Sequence, residues 1–134
     1  MTDKELVQIA LDAREKAYVP YSGFRVGAAL LTETGKVYTG VNIENLSYGA
    51  TNCAERTAVF KAVSEGEKKF KVIAITSDSN EFTFPCGICR QVIKEFTDKD
   101  TRILCSNNAG EFTALTVKDL LPYAFDETAF NSRK

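Results

Sequence analysis

The sequence predicts an α/β protein, a three-layer α-β-α sandwich around a central mixed sheet of about five strands. Three observations carry that reading. Segments of helical periodicity alternate with short apolar runs, and a hairpin pattern stands near the beginning. Two runs, KVIAITSD and TRILCS, have continuous apolar centres, residues 72–75 and 103–105, as strands covered on both faces do. With 134 residues, 44% of them hydrophobic, the chain can bury one core, so a single domain over 1–134 is expected.

Taken in order, residues 3–17 place Leu6, Ile9, Ala10, Ala13 and Ala17 at helical spacing behind the possible cap Thr2, and this helix ends before Pro20. Residues 24–31 and 36–43 read as strands joined by the turn Glu33-Thr34-Gly35. Residues 44–52, with Asn45, Ser47, Gly49 and Asn52, read as a loop whose last residue can cap the next helix, CAERTAVFKAVSEG. The run 71–78 is a buried strand, after which Pro85 opens a further helix, CGICRQVIKEF. TRILCS is another buried strand and EFTALT a shorter one. TVKDLLPY is a brief helix before a tail with Phe125 and Phe130.

Composition narrows the function. The net charge is −1, from 17 basic and 18 acidic residues, and neither sign collects into a run, which argues against a nucleic-acid partner. No segment has the ~18 to 20 apolar residues of a membrane span, and the N-terminus lacks the order of a signal peptide, so a cytoplasmic protein is expected. There is no histidine, so acid–base chemistry near neutral pH falls to a carboxylate, Lys, Tyr or Cys. Four cysteines in a reducing compartment are ligands, catalytic groups or buried thiols before they are disulfides.

Their spacing points to a metal. Cys53 falls at the start of one helix and Cys86 at the start of another, with Cys89 three residues on and on the same face. Two helix N-termini meeting at one end of the sheet would gather three thiolates, which their positive dipole ends favour. Three sulfurs suit tetrahedral zinc, with the fourth position left to water, the mark of a catalytic site. Glu55 is the natural proton acceptor. Three thiolates outweigh the charge of Zn²⁺, and Arg56, three residues after Cys53, is placed to donate to a ligand sulfur and offset the excess.

Cys53-Ala54-Glu55 followed by Pro85-Cys86-Gly87-Ile88-Cys89 resembles the zinc deaminase signature, with Cys where the pattern often has His. Together with PYSGFRVGAAL, NIEN, CAERTA and PCGICRQV, in that order, most of the chain resembles the cytidine deaminase family. The resemblance implies a cytidine deaminase-like fold, one zinc per subunit, and conversion of free cytidine and 2'-deoxycytidine to uridine and 2'-deoxyuridine with release of ammonia, a step of pyrimidine salvage. In that family the glutamate, here Glu55, takes the proton of the attacking water and delivers protons to N3 and the departing amine. Asn42 and Glu44 would hold the ribose hydroxyls, Phe24 would help wall the base, Ala54 would also bind substrate, and Phe125 would come from a neighbouring subunit of a homotetramer. Leu46 departs from the small residue expected after NIEN.

Other readings compete. A deaminase for another aminated pyrimidine, such as blasticidin S, would use the same metal motif, although NIEN favours cytidine. A nucleic-acid-editing deaminase would need a basic track that the charge pattern lacks. A structural zinc module would enlist all four cysteines, but Cys105 lies inside the apolar run RILCS, as a buried, inert thiol would. Tyr18, Tyr21 and Tyr48 receive no role.

Overall fold

The structure, a computed structural model, describes residues 1–131. Helix α1 spans Asp3–Arg14, strands β1 and β2 Val26–Thr32 and Val37–Val41, and helix α2 Ala54–Ser64. Strand β3 (Phe70–Ser77), helix α3 (Gly87–Glu95), strands β4 (Arg102–Ser106) and β5 (Phe112–Leu115), and short helices α4 (Val117–Leu120) and α5 (Thr128–Asn131) complete the order. Five strands form one sheet in the order β2-β1-β3-β4-β5, mixed as expected: β3 and β4 are parallel and the other neighbours antiparallel.

Alternation along the central strands builds the three layers. Ala29, Val72, Ala74 and Leu104 turn to one face and pack with Leu6, Val7 and Ala10 of α1. Ala28, Leu30, Ile73, Ile75, Ile103 and Cys105 turn to the other, where Ala54, Ala58, Val59 and Ala62 of α2, Ile93 of α3 and Leu120 of α4 cover them. Both helix layers come unusually close. A Cβ on Gly27 would lie 2.2 Å from the Ala10 carbonyl oxygen, and one on Gly40 2.3 Å from that of Ala54, so these strand glycines let α1 and α2 rest on the backbone.

Several boundaries follow their expected causes. Thr2 caps α1 by accepting from the Glu5 N–H at 3.1 Å, and Gly35, at φ +92°, closes the β1–β2 turn. Three local readings are corrected. The first helix stops at Arg14 rather than running to Ala17. The cap of α2 is Cys53, not Asn52, whose side-chain amide instead donates to Thr57 Oγ1 at 3.1 Å. Pro85 precedes the cap of α3, which is Cys86, and the helix itself begins at Gly87. α5, in the tail, has no counterpart in the expected elements.

One consequence of the topology places the site. β2 and β3 both run antiparallel to β1, so they point the same way and end at the same side of the sheet. α2 follows β2 and α3 follows β3, so both helix N-termini face each other at that end, outside the carboxyl ends of the strands.

Candidate active site

Cys53 and Cys86 are the N-caps of α2 and α3, both in extended conformation, and neither makes a side-chain capping bond. Their sulfurs turn to each other instead. The two Sγ atoms are 3.7 Å apart, and with Cys89, in the first turn of α3, the three sulfurs lie within 4.8 Å of one another. Tetrahedral zinc with Zn–S bonds of about 2.3 Å would space its sulfurs by about 3.8 Å. The triangle fits that geometry, and the cysteines are free thiols.

The electrostatics ask for a cation. Hydrogen bonding from Cys89, helped by Arg56 and Cys86, pulls the Cys53 thiol down to about 5. Sharing that proton with Cys53 pushes Cys89 upward, as do burial and the negative charge of Glu55. A lowered and a raised thiol side by side are what a bound dication would relieve, since metal binding displaces thiol protons. Arg56 donates from Nη2 to Cys53 Sγ at 3.3 Å, as its spacing anticipates. Cys89 is buried while Cys86 is exposed, so the triangle opens to solvent on one side, where a fourth ligand can enter.

Glu55, in the first turn of α2, is only 4% exposed. Burial is the main reason its carboxyl is pushed up to about 7, where it can accept and return a proton near neutral pH. Cys105 lies apart from the sulfur triangle, buried in β4, and burial holds its thiol up at about 12. Among the described residues the cluster thus has three sulfurs and no closed four-cysteine cage.

A family model for the cytidine and deoxycytidylate deaminase zinc-binding region matches residues 1–105. The chain belongs to this deaminase family. The match takes in all three clustered cysteines and Glu55. Cytidine deaminase of Halalkalibacterium halodurans is 50% identical over 131 residues, covering 98% of this chain and 99% of that protein. The one from Sporosarcina psychrophila is 50% identical over 127 residues, covering 95% and 93%. The crystal structure of cytidine deaminase from Burkholderia pseudomallei superposes with a TM-score of 0.89 at 46% identity, over 93% of this chain and all of that one. The zinc-binding deaminase domain and its cysteine cluster are accordingly those of a zinc-dependent cytidine deaminase fold.

Ala54, fully buried, is the first residue of α2, between Cys53 and Glu55. Ile43 pairs with Asn52, so Asn42 and Glu44 run beside the segment that delivers Cys53. Both side chains are held. Asn42 accepts from the Val26 N–H and donates to the Phe24 carbonyl, each at 2.9 Å. Glu44 accepts from the Tyr21 and Ser22 N–H groups and from the Ser22 hydroxyl, which keeps its carboxyl below the usual range. Phe24 is 42% exposed. The Phe125 carbonyl accepts from Gln91 Nε2 of α3 at 3.0 Å, while its exposed ring packs edge-on against Phe130.

Two tyrosines left without a role by the sequence line a pocket here. Tyr21, Ser22, Glu44, Tyr48 and Thr51 line a pocket of about 380 Å³, and the Tyr21 and Tyr48 rings meet edge-on at 6.1 Å. Nothing in the spacing of these residues signals the pocket, because the Glu44 bonds to Tyr21 and Ser22 that shape it span more than twenty positions.

Proposed function

We propose that this chain catalyses the zinc-dependent hydrolytic deamination of free cytidine and 2'-deoxycytidine, giving uridine and 2'-deoxyuridine and releasing ammonia in pyrimidine salvage. The observation that carries the reading is the sulfur triangle with a buried carboxylate two residues after its first member. Relatives named cytidine deaminase, half identical over nearly the whole chain, support the substrate. Cys53, Cys86 and Cys89 are the zinc ligands, and zinc supplies, when bound, the Lewis-acid activation of water.

The protein's own groups do the rest. Glu55 takes one proton from the attacking water and gives it to N3, then takes the remaining proton of the new C4 hydroxyl and passes it to the amine, which leaves as ammonia as the C4 carbonyl forms. Its burial fits this work, since a carboxyl with a pKa of about 7 is neither a spent base nor a reluctant acid near neutral pH. Arg56 draws charge from the Cys53 sulfur. Asn42 and Glu44, fixed by their backbone bonds, present remaining acceptor and donor capacity to the ribose hydroxyls, while Ala54 and Phe24 border the base. A site that pairs with sugar hydroxyls discriminates strongly against the free base.

The chain acts as one domain over 1–134, assembled as a homotetramer that shares its pockets. Support for the assembly comes from apolar side chains left uncovered near the site: Leu46, Tyr48 and Ile88, between two ligands, are each more than 60% exposed, as is Phe125. No helix among the described residues is long and apolar enough to cross a membrane. Free thiols suit the reducing cytoplasm, and the net charge of −1 suits a small nucleoside better than a nucleic acid.

Ultraviolet absorbance of cytidine, 2'-deoxycytidine, cytosine and blasticidin S incubated with the zinc-loaded protein tests the substrate. Turnover of the two nucleosides but not of cytosine is expected. Turnover of blasticidin S alone would move the chain to the rival specificity.

A further inference from the structure

Helix α3 carries two of the three clustered sulfurs, yet its cap, Cys86, makes no capping bond, because the sulfur faces Cys53. A cap left without that bond needs other anchorage. Arg90 provides it from one turn further on. Its backbone N–H donates to the Cys86 carbonyl at 3.0 Å, and its Nε donates to the Pro85 carbonyl at 2.7 Å. Its Nη1 reaches 30 positions along the chain to the carbonyl of Leu120, the last residue of α4, also at 2.7 Å. A single side chain thus grips the residue preceding the Cys86 ligand and an orphan carbonyl of another helix.

Among the described residues no carboxylate pairs with Arg90, in contrast to Arg14, Arg25 and Arg102. Its partly buried guanidinium is held by carbonyls alone, in a planar fork that spans two segments. We propose that Arg90 is a positioning residue for the zinc site: by locking the Pro85–Cys86 turn against the end of α4, it sets how firmly Cys86 holds the metal. This rests on the zinc deaminase reading of the three cysteines. Lysine cannot replace it, because one ammonium on a flexible stem lacks the fork that reaches both carbonyls together. The neighbouring Gln91 supplies a contrast, since it bonds the Phe125 carbonyl and leaves the Pro85 turn untouched.

The test compares zinc-loaded wild type, R90K, R90Q and Q91A. Zinc release into a chromogenic chelator is followed well below each variant's Tm, beside kcat and KM for cytidine. R90K and R90Q are expected to release zinc roughly 10- to 100-fold faster, the usual effect of removing a group that orients a ligand. Their loss should fall on kcat more than on KM, and Q91A should release zinc at the wild-type rate. R90Q carries the test if R90K does not fold. A lowered Tm with wild-type zinc release would show Arg90 to be merely structural, and so would Q91A matching R90K. If wild type binds zinc and turns over cytidine in those cases, only the role of Arg90 falls; a wild type that holds no zinc overturns both readings.

Discussion

Glu55 is 4% exposed in the first turn of a helix whose N-cap residue is Cys53 of the cluster, and burial lifts its carboxyl pKa to about 7. That environment separates it from the solvated glutamates elsewhere on the chain. Arg56, one residue on, is defined by its bond to Cys53 Sγ at 3.3 Å. R56Q removes a cationic donor from a ligand sulfur, so zinc affinity should weaken about 10- to 100-fold, read by competition with a calibrated chelator. Unchanged affinity would leave Arg56 without a role at the metal. These two residues were legible because they sit beside a ligand in sequence. The bonds that fix Asn42 and Glu44 were not, since they reach Val26, Phe24, Tyr21 and Ser22 across loops. The cap of α2 was misread for a related reason: Asn52 has the right chemistry for a cap, but Cys53 takes the position so that its sulfur can face Cys86.

Among the elements, the long apolar strands and the two cysteine-bearing helices were readable because burial on both faces and helical spacing leave strong patterns. The four-residue α5 was not, because so short a helix shows no periodicity. Close approach of α2 to β2 makes a prediction of its own. A Cβ on Gly40 would meet the Ala54 carbonyl oxygen at 2.3 Å and the Ala58 nitrogen at 2.4 Å, both backbone atoms that yield only if the helix moves. G40A should therefore cost about 1 to 3 kcal/mol in denaturant unfolding. It should also lower kcat, because the shifted turn carries Cys53 and Glu55. Wild-type stability and kcat would mean that α2 is free to slide.

For the whole molecule, parallel directions of β2 and β3 bring two distant cysteine motifs to one end of the sheet, as the cysteines at two helix starts anticipate. The start of β1 is tied to the exit of β3 by Arg25 and Asp78, 2.9 Å apart, with Glu15 on the same guanidinium. Hydrogen bonding from Arg25 holds the Asp78 carboxyl below its ordinary value of 3.8. A group depressed in the folded state stabilises fully above its unfolded pKa and loses that contribution as pH falls through the folded one. Wild type should thus lose stability as pH falls below that ordinary value of 3.8, and D78N, measured by thermal melts across that range, should show a shallower acid loss. An identical acid limb would mean that the pair contributes nothing. Truncation before Phe125 tests the shared pocket: activity should fall with the zinc content intact, whereas full activity would confine the site to one subunit.

The most direct measurement follows the loss of cytidine absorbance with zinc-quantified wild type and E55Q side by side. Wild type should convert cytidine with about one zinc per chain. E55Q should keep the zinc and the fold but lose at least 10²-fold in kcat, as expected for removal of a general acid–base. Bound zinc without turnover in either protein, or equal turnover in both, would contradict a zinc deaminase driven by Glu55.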